Sequence, residues 1–195
     1  ASGSAPLVCD ASSDFLSRPI DLDKYGLIYA GAQKNLGPAG VTVVLIRQSF
    51  LEKQRPEPIP TILNYKTHAE KLFNTPPVFA VYMVNLVLEW ILEKGGLSYF
   101  EKTNAQKAAS IYSEIDKDDF YRGTVEKEAR SLMNVTFRMA NEDLEKRFLS
   151  EAAKQDLVAL KGHRSVGGIR ASIYNACPTE SVDALVEFMQ DFRNK

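Results

Sequence analysis

Three short apolar runs near the N terminus constrain the fold more than any other feature of this sequence. They cover residues 7–9, 27–30 and 41–46, and the last is apolar or β-branched throughout. Continuous apolar runs of this length, rather than alternating ones, are typical of strands covered on both faces. The pattern therefore predicts an α/β fold with a mainly parallel sheet packed between helices.

Two consecutive glycines, residues 95–96, separate this pattern from a different one. Before them, residues 52–75 are rich in proline and polar side chains and predict a long ordered loop. Residues 76–94 then predict a helix that two prolines open and the glycines end. The remaining pattern predicts a small α+β unit, with helices over 97–115, 142–154 and from an N-cap at Thr179 to about 192, and strands over 133–139, 157–160 and 169–174. The predicted domains are residues 1–95 and 96–195.

The most apolar stretch, residues 76–92, is a candidate membrane span only at first sight. A span needs about 20 consecutive apolar residues, and this stretch is shorter and contains Asn85 and Glu89. We therefore predict that it forms a buried helix and that the protein does not associate with membranes.

Charge and cysteine content exclude several classes of function. The chain has 24 basic and 25 acidic residues, so it has no bulk attraction for nucleic acid or an anionic membrane. Its two cysteines are far apart and lack metal-ligand spacing, which predicts no disulfide framework, no metal site and a reducing cytoplasmic setting. The first six residues lack the charged and apolar regions of a signal peptide.

One lysine, Lys34, follows the second predicted strand in a turn of small residues, between Gln33 and Asn35. Ligands of α/β folds bind at the carboxyl ends of strands, although a solvated surface lysine is the interpretation that the residues alone favour. The turn lacks the pattern of a nucleotide-binding P-loop. Asp10, at the end of the first predicted strand, is by itself a turn-former. Together, Asp10 and Lys34 would place opposite charges around one ligand.

A second cluster lies in the glycine-rich segment 161–174. His163 and Arg164 suit a phosphate group, because imidazolium and guanidinium donors reach its oxygens together. Arg170 lies among apolar neighbours of a predicted strand, where arginine is rarely buried without an anionic partner. That partner could be a carboxylate of the protein or a carboxylate of a substrate, and the sequence does not decide between them.

Asn74 and Thr75 precede two prolines and the predicted apolar helix. Helix capping is the interpretation that these residue types favour. The functional alternative is that their side chains and the helix N terminus bind a phosphate group together.

Four segments together resemble phosphoserine aminotransferases, which are fold-type I enzymes that use pyridoxal 5'-phosphate (PLP). They are Ser-Ser-Asp-Phe-Leu-Ser-Arg-Pro at 12–19, Ala-Gly-Ala-Gln-Lys-Asn at 30–35 with Gly-Pro-Ala-Gly at 37–40, Asn-Thr-Pro-Pro at 74–77, and Gly-His-Arg-Ser-Val-Gly-Gly-Ile-Arg-Ala-Ser-Ile-Tyr-Asn at 162–175. The last segment is the most specific, because it separates this family from other aminotransferases. The resemblance runs from about residue 7 onward and corresponds to the C-terminal half of the family's length.

The resemblance implies a role for each matching residue around the cofactor. Lys34 would form the covalent link to PLP and act as the catalytic base, Asp10 would contact its pyridine nitrogen, and Gln33 would contact its phosphate group. Asn74 and Thr75 would reach the same phosphate group from the partner subunit of a homodimer.

The resemblance also implies the substrates. Arg170 would bind the substrate α-carboxylate, and His163 and Arg164 would bind the substrate phosphate group across the dimer. The implied reaction transfers an amino group between L-glutamate and 3-phosphohydroxypyruvate, giving O-phospho-L-serine and 2-oxoglutarate in L-serine biosynthesis. Use of 4-phosphohydroxy-L-threonine, a precursor of vitamin B6, stays open.

The rest of the family's length contributes other PLP-phosphate contacts, the aromatic ring that stacks on PLP and another phosphate-binding arginine. The 195 residues alone are therefore expected to be inactive. A catalytically inactive fragment is one alternative. Another fold-type I enzyme, such as a cysteine desulfurase, is disfavoured because Cys9 lies in a predicted strand and Cys177 near the last helix. A bare phosphate-binding module would leave Lys34 and Asp10 without a role.

Overall fold

The computed structural model describes residues 3, 5–53 and 58–195. The chain divides into two compact units, Ala1–Gly96 and Leu97–Lys195. The strands are β1 (Val8–Asp10), β2 (Leu27–Gly31), β3 (Thr42–Ile46), β4 (Arg122–Gly123), β5 (Asn134–Arg138) and β6 (Ile169–Ser172). The helices are α1 (Gln48–Leu51), α2 (Tyr65–Glu70), α3 (Val78–Glu93), α4 (Gly96–Ile115), α5 (Glu142–Ala153) and α6 (Thr179–Arg193).

The sheet of the first unit has the strand order β1-β2-β3. β1 and β2 are parallel, with Asp10 opposite Tyr29, whereas β3 runs antiparallel to β2, with Gly31 opposite Thr42. The prediction of parallel pairing is therefore wrong for β2 and β3. Residues 32–41 connect these two strands, and a parallel return needs a crossover of about a dozen or more residues.

Small apolar side chains hold the turn after β2 against the sheet. Ala32 and Leu36 are buried. The amides of Leu36 and Gly37 donate to the Ala32 carbonyl at 3.2 and 2.8 Å, and the Ala32 amide donates to the Val41 carbonyl at 2.9 Å. The turn that carries Lys34 is therefore a closed, hydrogen-bonded structure rather than a loose surface loop.

Helix α3 ends as the sequence predicts but is less buried than predicted. Gly95 and Gly96 adopt φ values of 108° and 71°, which glycine tolerates without strain and which stop the helix. Only Ala80, Val84 and Ile91 of the helix are buried. The prediction of a buried helix is wrong in this structure, because a single side of α3 packs on the unit. The exposed large apolar side chains are Val78, Phe79, Val81, Tyr82, Leu86, Leu88 and Leu92.

The predicted loop over residues 52–75 contains regular structure. A 3-10 turn spans Thr61–Leu63, and α2 follows it directly. The side chain of Asn64 caps α2 by accepting a hydrogen bond from the Lys66 amide at 3.1 Å. The prediction missed this short helix because one capped turn leaves almost no periodic pattern. Residues 54–57 of the predicted loop lie outside the described residues.

The second unit has an antiparallel sheet in the order β4-β5-β6, which places Arg170 opposite Thr136. Aromatic side chains fill its core in edge-to-face pairs, at separations typical of favourable ring contacts. The ring centroid of Phe148 lies 5.8 Å from that of Phe137 and 5.0 Å from that of Phe188. This core, packed between the sheet and helices α4, α5 and α6, gives β6 a rigid support.

A buried ammonium group holds the chain that leaves β6. Lys107 of α4 is 1% exposed, and its Nζ donates to the carbonyls of Ile173, Tyr174 and Cys177 at 2.9–3.1 Å. Burial lowers the pKa of Lys107. The three carbonyls replace the water that this amine loses, so they tie the end of the Arg170 strand to α4.

Two sequence predictions fail in the second unit. Residues 157–160 do not form a strand, since Asp156 and Ala159 take positive φ values of 59° and 61° that an extended strand excludes. The N-cap of α6 is Pro178, and the predicted cap, Thr179, is instead the first helical residue. The predicted helices and strands over 97–115, 133–139, 142–154 and 169–174 are confirmed within a few residues.

Within the described part of the chain, no helix is long and apolar enough to cross a membrane.

Candidate active site

Asp10 ends β1 and is surrounded by hydrogen-bond donors. The hydroxyl and the amide of Ser12 both donate to Asp10 Oδ1, at 2.6 and 2.9 Å. These two bonds, with smaller contributions from the Tyr29 hydroxyl and the charge of Lys34, lower the pKa of Asp10 below its ordinary value. Asp10 is therefore a carboxylate at neutral pH, and its side chain is exposed.

Ser12 connects Asp10 to the neighbouring strand. Its Oγ accepts a hydrogen bond from the Gly31 amide at 3.0 Å. Because an amide N–H can only donate, Ser12 Oγ acts as the acceptor there and directs its own proton to Asp10. The end of β1 and the end of β2 are thus joined through one hydroxyl group.

Lys34 lies in the turn after β2, at the same edge of the sheet as Asp10. Its Nζ donates to Ser13 Oγ at 2.5 Å. Ser12 and Ser13 follow β1. These adjacent serines hydrogen-bond the two charged groups, Ser12 to Asp10 and Ser13 to Lys34. The structure therefore brings Asp10 and Lys34 together where two parallel strands end, as the sequence predicts for a ligand site.

The residues beside Lys34 have different environments. Asn35 is buried, and its Nδ2 donates to the Phe15 carbonyl at 3.1 Å. Gln33 is exposed, and its side chain folds over Gly31 so closely that a Cβ there would lie 2.6 Å from Gln33 Oε1. Asn35 therefore anchors the turn, whereas the amide of Gln33 is accessible to a ligand.

Asn74 and Thr75 are exposed residues at the approach to α3. The N-cap of that helix is Pro77, with no side-chain capping bond, so the capping interpretation of Asn74 and Thr75 is wrong. Among the described residues, no hydrogen bond joins either side chain to Asp10 or Lys34. Their predicted role in binding a phosphate group from the partner subunit stays a prediction.

His163 and Arg164 lie in a tight turn of the second unit. The His163 carbonyl accepts hydrogen bonds from the amides of Val166 and Gly167 at 2.9 and 2.8 Å. The Ser165 amide approaches His163 Nδ1 at 3.3 Å and the Ser165 hydroxyl lies 2.6 Å from the same nitrogen. Since the amide can only donate, Nδ1 accepts, which leaves the ring proton on Nε2 as a donor for an external ligand.

Arg170 lies in β6, three residues beyond this turn. Its Nε is buried and has no hydrogen-bond partner in the described structure. A buried donor without a partner costs about 1–3 kcal/mol, more when it is charged. The arrangement is thus suited to a planar anion such as a carboxylate, which accepts two parallel bonds from a guanidinium group.

Among the residues described, no group of three histidine, cysteine, aspartate or glutamate side chains could hold a metal ion. The side-chain groups at the two candidate regions are a carboxylate, an amine, an imidazole and two guanidinium groups. These residues are suited to binding organic anions and transferring protons.

Comparison with known proteins identifies the family. The profile of the class-V aminotransferases matches residues 2–185. This chain belongs to the class-V aminotransferase family. The resemblance to phosphoserine aminotransferases noted from the sequence is confirmed by relatives and solved structures with that name.

Several relatives of this class-V aminotransferase chain are closely similar. Phosphoserine aminotransferase of Lysinibacillus sphaericus is 57% identical over 99% of this chain and 54% of its own length. The structure of phosphoserine aminotransferase from Bacillus circulans subsp. alkalophilus has a TM-score of 0.93 and 54% identity, over 98% of this chain and 54% of that one. The PLP-bound enzyme of Trichomonas vaginalis has a TM-score of 0.90 and 43% identity, over 96% and 54%. The chain thus spans about half the length of the relatives that it matches.

Ser12, Ser13 and Tyr29 lie within the predicted motifs and strands, but the sequence pattern predicts no role for them. Ser12 and Ser13 could have been noticed as two hydroxyl groups directly after a charged strand end. The position of Tyr29 opposite Asp10 depends on the register of the parallel pair in this class-V aminotransferase chain, which no local pattern encodes.

Proposed function

We propose that this chain carries the PLP-binding lysine and the substrate-binding arginine of a phosphoserine aminotransferase. The reaction would convert L-glutamate and 3-phosphohydroxypyruvate into 2-oxoglutarate and O-phospho-L-serine. The observation that carries the proposal is the placement of Lys34, held on Ser13, near an ionised Asp10 at the carboxyl ends of two parallel strands. The relatives named as phosphoserine aminotransferases support this choice of substrates.

The residues of the first unit fit PLP as a cofactor. When bound, PLP supplies an aldehyde that condenses with amines and a ring that accepts the electron pair of a broken Cα–H bond. Lys34 Nζ would hold the cofactor through its amine and would move the proton at the substrate Cα. Asp10, whose pKa is lowered, would hold a proton on the pyridine nitrogen. Gln33 would contact the cofactor phosphate group.

The residues of the second unit fit an amino acid with a phosphate group. Arg170 would orient the α-carboxylate through Nε, the donor that has no partner among the described residues. His163 and Arg164 would bind the phosphate group, with the imidazole donating from Nε2. A carboxylate and a phosphate group held at separate positions would set which Cα bond is cleaved.

The proposed assembly is a homodimer in the cytoplasm, to which each subunit contributes Asn74 and Thr75 across the interface. Helix α3, which follows these two residues, supports this because it exposes large apolar side chains such as Phe79 and Leu92, which are 72% and 73% exposed. Apolar patches of this kind usually mark surfaces that another chain or segment covers. In the same proposal, residues 1–95 belong to the PLP-binding domain and residues 96–195 form the small domain.

Substitutions at the proposed carboxylate-binding and phosphate-binding residues test this function. In a full-length enzyme that carries this chain, Arg170→Lys should raise the KM for both L-glutamate and O-phospho-L-serine, because both have the α-carboxylate. His163→Ala and Arg164→Ala should raise the KM for O-phospho-L-serine by about 10- to 100-fold and that for L-glutamate far less, because charged hydrogen bonds are worth about 1.5–3 kcal/mol. The measurement is steady-state kinetics with each amino donor. Equal losses for both substrates in all three variants would contradict the proposal.

Activity is proposed for the full-length enzyme, and the 195 residues alone are expected to show neither turnover nor tight PLP binding. The relatives are about twice this length, and the exposed apolar side of α3 lacks a cover within the described residues. Side-by-side PLP titration and a coupled transamination assay on both proteins would check this. Equal turnover by the short chain would contradict it and would favour a self-contained catalytic unit.

A further inference from the structure

Within the described part of the chain, one side chain from outside the turn hydrogen-bonds the turn that carries His163 and Arg164. Arg138, the last residue of β5, donates from Nη1 to the Val166 carbonyl at 3.0 Å. The Gly167 amide, which shares a peptide unit with that carbonyl, donates to the His163 carbonyl at 2.8 Å. A single peptide unit therefore links the guanidinium group of Arg138 to the backbone of His163.

The backbone of the turn packs tightly against this arginine. Gly168 has φ of 74°, and a Cβ at that position would lie 2.5 Å from Arg138 Cδ and 2.9 Å from the Phe137 carbonyl. A Cβ on Gly162 would overlap the Gly167 carbonyl oxygen. The two glycines allow the turn to close on itself and to approach Arg138, where any larger residue would collide.

A buried carboxylate fixes the position of Arg138. Its Nε donates to Glu145 Oε1 at 2.6 Å, and the same oxygen accepts the Met139 amide at 3.2 Å. Glu145 lies in the first half of α5 and is only 6% exposed. The charge of Arg138 is thus balanced by Glu145, and Nη1 is occupied by Val166. Arg138 is therefore placed to support the turn.

We propose that Arg138 is a positioning residue for phosphate recognition, which holds the 162–168 turn in the conformation that presents His163 and Arg164 to the phosphate group of the substrate. This inference rests on the proposed role of those two residues. Without Arg138, the turn would have to be ordered when the substrate binds, and that ordering reduces affinity. The effect should be confined to the substrate that carries a phosphate group, because the Arg170 strand has its own support from the core and Lys107.

The test is Arg138→Met in the full-length enzyme, which keeps an unbranched apolar side chain and removes both donors. The KM for O-phospho-L-serine should rise about 10-fold, as expected for the loss of a charged hydrogen bond. The KM for L-glutamate and both kcat values should change less than about 2-fold, because the strand that carries Arg170 keeps its own support from the core and Lys107. Arg147→Met is the matched control. Arg147 makes the same type of pair with Glu151, at 2.7 Å, on the helix that carries Glu145 but away from the turn. That control should leave KM and kcat for both substrates unchanged.

Two further measurements separate the possible failures. If His163→Ala and Arg164→Ala leave the KM for O-phospho-L-serine unchanged, the proposed function fails. If they raise this KM while Arg138→Met does not, only the present inference fails. An equal loss for both substrates in Arg138→Met would show a merely structural role and would also overturn the inference. Where Arg138→Met does not fold, Arg138→Lys replaces it, because lysine keeps one donor but lacks the planar fork that serves Glu145 and Val166 together. Arg138→Lys should raise the KM for O-phospho-L-serine by a smaller factor and leave that for L-glutamate unchanged. An unchanged KM for O-phospho-L-serine would overturn the inference.

Discussion

Lys34→Ala is expected to abolish transamination in the full-length enzyme, with kcat reduced at least about 1,000-fold, because the substitution removes both the covalent anchor and the proton-transferring amine. Steady-state turnover with L-glutamate and O-phospho-L-serine measures this loss. Mass spectrometry after borohydride treatment supplies a second readout, since the wild-type peptide that contains Lys34 should retain a pyridoxyl group and the variant should not.

The matched control for this prediction is Lys24→Ala. Lys24 lies in the same unit, and its side chain is 70% exposed in a surface pair with Asp21 at 3.3 Å, so its loss should leave the rate unchanged. Turnover by Lys34→Ala above about 1% of wild type would exclude the proposed role. A pyridoxyl group found on a different lysine would exclude it as well.

Asp10→Asn is expected to lower kcat about 100- to 1,000-fold while the protein stays folded. Asparagine has nearly the same shape and can keep the bonds from Ser12, but it lacks the negative charge that stabilises a protonated pyridine nitrogen. The hydrogen bonds that lower the pKa of Asp10 imply that wild-type Asp10 keeps this charge throughout the neutral range. Turnover and circular dichroism, measured together, separate a chemical effect from unfolding.

Asp23→Asn is the control for the charge change. Asp23 is 96% exposed and makes only a distant pair with Arg47 at 3.8 Å, so neither rate nor fold should respond to its substitution. An unchanged rate in Asp10→Asn would mean that Asp10 serves only as a turn residue after β1. In that case the hydroxyl of Ser12 would have a purely structural role in joining β1 to β2.

Local pattern predicted most of the elements but not how they pair. The mostly β-branched run at 42–46 forms the predicted strand β3, and the two glycines at 95–96 end α3 because their backbone conformations suit no other residue well. Strand direction depends instead on the length of the connection, so the ten residues between β2 and β3 gave an antiparallel pair that the apolar run alone could not reveal. The run at 157–160 has strand-like composition, yet left-handed residues at 156 and 159 turn the chain out of the extended state.

The sequence by itself determined the class of each candidate residue and its place at a strand end or in a turn. Lys34 follows an apolar run and lies among small residues, so its position after β2 could be predicted, and the 162–175 segment identified the family. Only the tertiary structure decided the partners of these residues: Ser13 for Lys34, Ser12 and Tyr29 for Asp10, and Arg138 for the His163 turn. The physical reason is that hydrogen bonds act over about 3 Å. They join residues that are distant in sequence, and the register that brings such residues together arises from packing of the whole unit.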